Sequence, residues 1–382
     1  MRWKNATSNA GWLPFALAAA RARPSRSSAS DMPETMYGVA LMGHGGPECL
    51  EWREDLPKPE PKAGEVLIAV AAAGVNNTDI NLRVGWYSKG DNDAEDAGWA
   101  GDALTFPHIQ GIDVCGRIVA VGAGVDPARI GERVLVEPCM IEAGGAMRDP
   151  PWFLGSDCDG GFAQFCAVAA RHAYPVESTL SDIELASFPC SYSTAENLLT
   201  RARLTAGETV LVTGASGGVG SAVVQLAKAR GARVIALTSA AKMNDLRAIG
   251  ADQCIDRNAD LLAELGKDAV EVVVDLVAGA GFPALLEVLK RHGRYATSGA
   301  VGGPIVELDV RTLYLKDLQF YGGTALEPEV FGNLVRLIEK GEIKPLVAAT
   351  FGLRDIGAAQ AAFADKSYTG KIVLDVANPT GD

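Results

Sequence analysis

The sequence predicts an α/β fold in which a barrel of short antiparallel strands precedes a doubly wound parallel sheet covered by helices. From Tyr37 to about Val176, apolar runs such as GEVLIAVAAAGV alternate with glycine turns and prolines, a pattern typical of antiparallel strands. From about Ser191, continuous apolar runs such as ETVLVTG and EVVVDLV alternate with helical segments, which favours a parallel sheet buried on both faces. The length of 382 residues suggests two domains.

Composition and charge narrow the possible partners. The chain carries 47 acidic and 35 basic residues, a net charge of −12, which disfavours nucleic acid and anionic membranes. Small molecules and further copies of the chain are the favoured partners. The seven cysteines are odd in number and scattered, without a CxxC pair, so the sequence indicates neither a disulfide framework nor a structural zinc site. Reduced thiols of this kind predict a cytoplasmic protein.

The first 30 residues differ from the rest, because five basic residues and no acidic residue precede Asp31. Their apolar run, WLPFALAAA, is too short to cross a bilayer. One interpretation is a targeting segment, which would send the protein to an organelle matrix. The other is an over-extended start of translation, with the fold beginning near Met32 or Met36. Both interpretations exclude residues 1–35 from the fold, and no other stretch is long and apolar enough to span a membrane.

A glycine cluster in the segment TGASGGVGSAVVQLAKARGA predicts a dinucleotide site. The glycines lie where an apolar strand meets a helix whose apolar positions follow the spacing i, i+3, i+4, i+7, i+8. Unpaired N–H groups at a helix N-terminus attract a diphosphate, provided that no side chain blocks its approach. Gly217 would permit that approach and Gly220 would let the helix pack on the strand. The predicted cofactor-binding residues of this turn are Ser216, Gly217, Gly218, Val219 and Gly220.

The end of the following strand predicts NADP(H) as the cofactor. An acidic residue there would pair with the ribose 2′-hydroxyl of NAD. The strand ends instead in Thr238 and Ser239, with Lys242 close behind, so a phosphate would meet two hydroxyl groups and a cation. The alternative is that Lys242 is only a solvated helix residue.

Taken together, the motifs resemble the medium-chain dehydrogenase/reductase superfamily, which includes alcohol dehydrogenases and quinone oxidoreductases. The resemblance covers nearly all of residues 37–376 and depends on these motifs: AGVNNTDINLRVGWY, FPHIQGIDVCGRIVAVGAGV, GERV, GASGGVGSAVVQLAKARGA, GADQCID and TGKIVL. It implies a GroES-like β-barrel catalytic domain formed by residues 36–190 and 326–382. It also implies a Rossmann cofactor domain formed by residues 191–325.

The sequence departs from the zinc-binding members of that superfamily at the metal ligands. Asn76 and Ile112 stand where those enzymes have a cysteine and a histidine, and only Cys190 remains of the three ligands. A catalytic zinc normally needs three protein ligands and an open position, so we expect no metal. Without a metal to polarise an alcohol, reduction of a conjugated acceptor is the easier reaction. The chain thus looks like the zinc-free quinone oxidoreductase and enoyl reductase branches.

The resemblance also implies roles for individual residues. Tyr87 matches the active-site tyrosine of 2-enoyl thioester reductases, and two interpretations stay open: a proton donor to the substrate or a pocket-lining residue. Asn76 matches a residue beside the nicotinamide, and we group it with Tyr87 as a candidate catalytic residue. The remaining implied cofactor contacts are Thr194, Ser298, Gly299 and Ala300 near the nicotinamide and Lys371 near the pyrophosphate.

These observations predict an NADPH-dependent reductase of quinones or α,β-unsaturated carbonyls. The alternatives are an alcohol dehydrogenase of the zinc type and a non-catalytic NADPH-binding protein. The resemblance implies a homodimer, with a tetramer possible, paired through an edge strand near VGGPIVELDVRTLYLKDLQFYG. Two insertions at 88–104 and 140–161 have no counterpart in the family pattern, and we expect them to be loops.

Overall fold

The computed structural model describes residues 34–88, 99 and 103–381. The N-terminal segment with its basic residues therefore lies outside the described residues, as does most of the first insertion. Within the described part of the chain, we find no helix that is both long enough and apolar enough to cross a membrane.

The first part of the fold is built on a seven-stranded mixed sheet. Six of its strands lie in the order β16-β17-β3-β4-β5-β9, and the seventh strand, β8, also pairs with β3. Every pairing in it is antiparallel except that of β16 with β17. The strands are β3 (Glu65–Gly74), β4 (Cys115–Val121), β5 (Arg133–Val136), β8 (Phe165–Ala169), β9 (Ala173–Pro175), β16 (Val347–Gly352) and β17 (Lys371–Asp375).

Two antiparallel strand pairs accompany this sheet. One joins β1 (Thr35–Leu41) to β2 (Leu50–Pro57). The other joins β6 (Cys139–Ala143) to β7 (Ala146–Phe153) and lies inside the second insertion, which we expected to be a loop. The sequence of that insertion hides the hairpin, because two consecutive prolines and several charged residues interrupt the alternation that marks a strand.

The second part of the fold is a six-stranded parallel sheet with the order β12-β11-β10-β13-β14-β15. The chain starts in the middle of this sheet, moves outward to one edge and returns to build the other, as in doubly wound dinucleotide-binding folds. The predicted α/β class is therefore confirmed. The strands are β10 (Thr209–Val212), β11 (Arg233–Thr238), β12 (Gln253–Asp256), β13 (Val270–Asp275), β14 (Leu289–Thr297) and β15 (Gln319–Gly322).

Helices cover both faces of the parallel sheet. The helices of the described chain are α1 (Asn77–Arg83), α2 (Asp182–Leu185), α3 (Pro189–Arg201), α4 (Gly218–Ala229), α5 (Met243–Ala248), α6 (Leu261–Leu265), α7 (Phe282–Val288), α8 (Val310–Leu315), α9 (Val330–Glu339) and α10 (Ile356–Asp365). In α4 the predicted apolar face is buried at Ala222, Val223, Leu226 and Ala227, and Val219 packs partly buried against the same core cluster.

The last strand brings the C-terminal part of the chain back to the first sheet. Strand β17 pairs antiparallel with the end of β3, with Val373 opposite Gly74. Lys371, the first residue of β17, is thereby placed next to the turn that leads from β3 into α1. This return positions a lysine from the end of the sequence beside residues 75 and 76.

Candidate active site

The glycine turn between β10 and α4 has the geometry that a diphosphate requires. Gly217 caps α4 with an extended backbone and without any side-chain hydrogen bond, so the first N–H groups of this twelve-residue helix lack a capping side chain. These N–H groups carry the partial positive charge of a helix N-terminus. Gly217 and Gly220 differ in the space available for a side chain. A Cβ on Gly217 would meet only the Gly214 oxygen at 3.5 Å, whereas a Cβ on Gly220 would collide with the backbone of Gly214 and Ala215. The turn therefore fits a dinucleotide: Gly217 leaves open space above the helix end, and Gly220 allows close packing beneath it.

The end of β11 presents one hydroxyl group without a partner. Thr238 is 4% exposed, and its Oγ1 is buried without a hydrogen-bond partner among the described residues. Ser239 caps the following helical turn, again without a side-chain hydrogen bond. The ammonium of Lys242 donates to the carbonyl oxygens of Lys366 and Tyr368, the latter at 2.7 Å. Lys242 therefore already holds the segment before β17 in place, and its charge remains at the end of β11.

Two further cations lie near Lys242, and sequence reasoning missed both. The positive charge of Arg257 contributes to lowering the pKa of Lys242, after the larger effect of partial burial. The pKa of Lys366 falls to about 8, because partial burial disfavours its charge and Lys242 and Lys371 lie nearby. Lys366 Nζ also donates to Asn77 Oδ1 at 3.1 Å. Arg257 directly follows β12 in the segment GADQCIDR, so its place at the carboxyl end of a strand could have been predicted from the sequence. The position of Lys366 could not, because it depends on the pairing of β17 with the first sheet.

The loop after β14 is close-packed and contains a second unpaired hydroxyl group. Ser298 Oγ is buried, and no described group hydrogen-bonds to it. A Cβ on Gly299 would lie 2.9 Å from the Leu276 carbonyl oxygen. Leu276 directly follows β13, so this loop passes close to the carboxyl end of the neighbouring strand. Ala300 accepts a backbone hydrogen bond from Gly303 at 3.0 Å, which closes the turn. This loop follows the carboxyl end of β14, the edge at which open α/β sheets bind their ligands.

Asn76 lies at the centre of a buried polar network. Its Nδ2 donates to Asp113 Oδ2 at 2.8 Å and to the Gly74 oxygen at 3.3 Å. Its Oδ1 accepts from Lys371 Nζ at 2.6 Å. Both N–H groups and the oxygen of the carboxamide are therefore engaged within the protein.

Lys371 forms a buried ion pair with Asp113. The ammonium lies 2.8 Å from Asp113 Oδ2 and also donates to the Val75 oxygen at 3.1 Å. The two side chains are 3% and 0% exposed, so their charges face each other away from water. The second carboxylate oxygen, Asp113 Oδ1, accepts the backbone N–H of Cys190 at 2.5 Å. Asp113 thereby ties the start of α3 to the end of β3.

The position of Lys371 refines the role that the family resemblance implied. Its methylene chain runs beside the glycine turn, since a Cβ on Gly218 would lie 2.9 Å from Lys371 Cδ. The charged end nevertheless points to Asp113 and Asn76, not outward from the N-terminus of α4. Sequence reasoning could not find this pair, because Asp113 and Lys371 are 258 residues apart.

Asp79 is a second buried carboxyl group in the same region. Burial raises its pKa to about 7, although hydrogen bonds from the Asn76 and Gly111 backbones oppose this rise. Its Oδ2 accepts the Asn76 N–H at 2.7 Å, which forms part of the cap of α1. Asp79 is therefore a group that can hold a proton at neutral pH close to the Lys371–Asp113 pair.

Tyr87 presents its hydroxyl group to the same region. Asn81 Nδ2 donates to it at 3.4 Å, and Thr78 is a second hydrogen-bonding side chain. Burial raises the pKa of Tyr87 to about 12, with Cys190 and Asp79 nearby adding to the rise. The phenol thus stays protonated at neutral pH and can donate a hydrogen bond or a proton. Cys190 in turn hydrogen-bonds with Thr194, and burial raises the pKa of its thiol to about 12.

Comparisons with known proteins now identify the family. Residues 62–178 match the alcohol dehydrogenase GroES-like domain, and residues 218–340 match the zinc-binding dehydrogenase domain. Quinone oxidoreductase of Rattus norvegicus is 30% identical, with 89% of this chain and 97% of that protein covered. The chain belongs to the medium-chain dehydrogenase/reductase superfamily.

Two more relatives in this superfamily carry different names. Acryloyl-coenzyme A reductase of Metallosphaera sedula is 31% identical, with 89% of this chain and 99% of that protein covered. A crystal structure of a putative alcohol dehydrogenase from Sinorhizobium meliloti 1021 is 46% identical and superposes with a TM-score of 0.82, covering 90% of this chain and 97% of that one. The present chain is therefore a medium-chain oxidoreductase, a nicotinamide-dependent class that acts on small molecules.

Two of the three positions that the resemblance assigns to zinc ligands are occupied by residues with other partners. Asn76 is engaged by Lys371 and Asp113, and Ile112 is 3% exposed within the apolar core. Among the residues that the structure describes, no three His, Cys, Asp or Glu side chains are grouped closely enough to hold a metal ion. An ammonium group thus accompanies the carboxylate and carboxamide at this place in the fold.

Proposed function

We propose that this oxidoreductase reduces quinones or α,β-unsaturated carbonyl compounds with NADPH and without zinc. The observation that carries the proposal is the hydroxyl group of Tyr87, which is protonated at neutral pH and lies among Thr78, Asn81 and Cys190. An aliphatic alcohol would need a Lewis acid to lower the pKa of its hydroxyl group. A conjugated acceptor spreads incoming negative charge onto its own oxygen, where a phenol is a sufficient donor.

When bound, the reduced nicotinamide supplies a hydride to the acceptor. Tyr87 then stabilises the oxyanion that develops on the acceptor and donates a proton to it, with its hydroxyl oriented by Asn81 at 3.4 Å. Lys371 and Asp113 hold Asn76 in one orientation, and Asp113 fixes the backbone of Cys190 at the start of α3. These residues keep the surroundings of the hydroxyl rigid, which is the condition for donating at a fixed point.

The cofactor is expected to bind along the carboxyl edge of the parallel sheet. The helix end at Ser216, Gly217, Gly218, Val219 and Gly220 would hold the diphosphate, and Thr194 with residues 298–300 would border the nicotinamide end. The unpaired hydroxyl of Thr238, with Ser239, Lys242 and Arg257 nearby, supports a ribose 2′-phosphate. Arg257 is exposed to solvent, and we find no ion pair of its guanidinium among the described residues, so an anion can reach it.

A substrate panel tests the proposed reaction. Consumption of NADPH would be followed with 1,4-naphthoquinone, an enone, an enoyl thioester, an aldehyde and a simple alcohol, with the metal content measured alongside. We expect turnover of at least one conjugated acceptor and little turnover of the alcohol. A preference for the alcohol together with stoichiometric zinc would instead support the zinc-type alcohol dehydrogenase. Tight NADPH binding without turnover of any acceptor would support a non-catalytic protein.

A cofactor comparison tests the proposed phosphate site. We expect kcat/KM for NADPH to exceed that for NADH by at least about tenfold, and Arg257→Gln to reduce this ratio, because charge-assisted hydrogen bonds to a phosphate contribute about 1.5–3 kcal/mol. Arg291→Gln offers a control, since Arg291 pairs with Asp317 away from this edge. A tenfold preference for NADH in the unaltered protein would reverse the assignment of the cofactor.

We also propose that the protein forms a homodimer through the edge of its parallel sheet. Strand β15 is one of the two edge strands of that sheet, and large apolar side chains in the segment leading to it are solvent-exposed: Val301, Ile305, Val310, Tyr314 and Leu315. Edge strands with exposed apolar neighbours offer a surface for pairing between chains. Light scattering on Ile305→Asp would then show a monomer where the unaltered protein shows a dimer; a tetramer would require a second interface.

A further inference from the structure

We infer that Trp99 of the first insertion and Phe153 of the second form, with Trp86 and Tyr87, an aromatic wall beside the Tyr87 hydroxyl, and that this wall selects acceptors with a flat conjugated ring. The wall consists of Trp86, Tyr87, Trp99 and Phe153. Trp99 belongs to the first insertion and Phe153 to the second. The inference rests on the proposed function, since it names the acceptor class for that same site.

Direct contacts join the two insertions. The Trp99 N–H donates to Ser156 Oγ at 3.1 Å, and Ser156 is itself buried. The Trp99 and Phe153 rings lie with their centroids 5.2 Å apart and their planes tilted by 42°. A hydrogen bond and a ring–ring contact therefore hold Trp99 at the end of β7.

The same tryptophan contacts the proposed proton donor. The Trp99 and Tyr87 ring centroids are 4.8 Å apart, and Trp86 packs edge-on against Tyr87 at 5.2 Å. Four rings therefore form a continuous series in the order Trp86, Tyr87, Trp99 and Phe153, with the tyrosine hydroxyl in its second member. The ring contacts thus place Trp99 of the first insertion and Phe153 of the second beside the tyrosine whose hydroxyl hydrogen-bonds with Asn81.

One end of the wall is buried in the protein, and its other rings are partly exposed to solvent. Phe153 is buried, and its N–H donates to Asp157 Oδ2 at 2.6 Å, which holds this end of the wall in place. Trp86 is 47% exposed and Trp99 is half-buried, so part of their ring surface faces solvent. An exposed ring face favours stacking with another planar π-system and gives little advantage to a flexible aliphatic chain. The acceptor class that fits is an aromatic quinone or an aryl-substituted enone.

The test compares two acceptors in wild type, Trp99→Ala and the matched variant Trp99→Phe. The measured quantity is the ratio of kcat/KM for 1,4-naphthoquinone to kcat/KM for trans-2-hexenal, a ratio that is independent of the fraction of active protein. We expect Trp99→Ala to lower this ratio by about 3- to 10-fold, the effect of losing one ring–ring contact, and Trp99→Phe to change it less than twofold. An unchanged ratio in Trp99→Ala would overturn the inference. Ser156→Ala, which removes only the anchoring hydrogen bond, is the second variant should Trp99→Ala fail to fold, and it is expected to lower the ratio in the same direction.

A binding measurement separates this inference from the proposed function. Calorimetry with 1-naphthol, a flat ring that cannot accept a hydride, measures the wall without any turnover. We expect Trp99→Ala to raise the dissociation constant by about 3- to 10-fold. If the wild type reduced neither acceptor, the proposed function would fail, yet this loss of binding would still support the wall. If the wild type and Trp99→Ala bound 1-naphthol equally, the wall would be refuted whatever the outcome with the acceptors.

Discussion

Replacing Lys371 by methionine tests how strongly the buried ion pair with Asp113 holds the site together. Methionine keeps most of the side-chain volume and removes the charge. The substitution leaves Asp113 Oδ2, Asn76 Oδ1 and the Val75 oxygen without the ammonium that donates to them at 2.8, 2.6 and 3.1 Å. Asp113 is 0% exposed, so water cannot replace the lost donor.

The expected cost follows from this geometry. Removing one partner of a buried ion pair costs about 3–5 kcal/mol, because the remaining charge stays buried without its counter-charge. Asp113 keeps the hydrogen bonds from Asn76 Nδ2 and the Cys190 N–H, so the loss should lie at the lower end of this range. Adding Asp113→Asn to Lys371→Met removes that remaining charge, so the double variant should regain much of the loss. A large coupling between the two substitutions is the signature of a direct contact.

The assay is urea unfolding followed by tryptophan fluorescence, with the free energy of unfolding compared between variants. Lys228→Met is the matched control, because Lys228 pairs with Asp252 at 3.0 Å but both side chains are more than a third exposed. An exposed pair contributes about 0–1 kcal/mol, so the control should unfold almost as the wild type does. Equal losses in Lys371→Met and Lys228→Met would refute the reasoning.

Three further predictions concern neighbouring residues. Tyr87→Phe should lower kcat on an enone by about 10²-fold or more while leaving the dissociation constant for NADPH unchanged, and an unchanged kcat would remove the phenol as the donor. Asp79 has a pKa raised to about 7, so its contribution to stability is fully present below about pH 4 and is lost as the pH rises through 7; urea titrations from pH 4 to 7 should show this loss in the wild type and not in Asp79→Asn. Gly217→Ala should weaken NADPH binding in calorimetry and lower the free energy of unfolding by about 1 kcal/mol or less. Gly220→Ala, whose Cβ meets backbone atoms, should lower the free energy of unfolding by about 1–3 kcal/mol. Equal losses of stability in the two variants would contradict the geometry of the turn.

The sequence predicts much of the fold because its signals are local. The change from short strands to alternating strands and helices, and the apolar face of α4, follow from residues that are neighbours along the chain. The hairpin of β6 and β7 was missed, because its prolines and charges obscure the two-residue period. Its formation depends on pairing that a local pattern does not record.

The candidate site is less predictable, because it is assembled from distant segments. Asn76 and Tyr87 follow from the resemblance, but the engagement of the Asn76 carboxamide depends on Lys371, which lies 295 residues further along the chain. The same holds for Lys366 beside Lys242, and for Trp99 beside Phe153. Contacts across such separations form only when the strands pair, and one sequence without its fold carries no signal for them.

The most direct test of the proposed reaction is activity after complete removal of metal. The purified protein would be dialysed against a chelator, its zinc content measured by mass spectrometry, and its kcat/KM for an enone or naphthoquinone with NADPH compared before and after. We expect unchanged kcat/KM in protein that contains far less than one zinc ion per chain. A loss of activity that follows the loss of zinc, and that returns when zinc is added back, would contradict it.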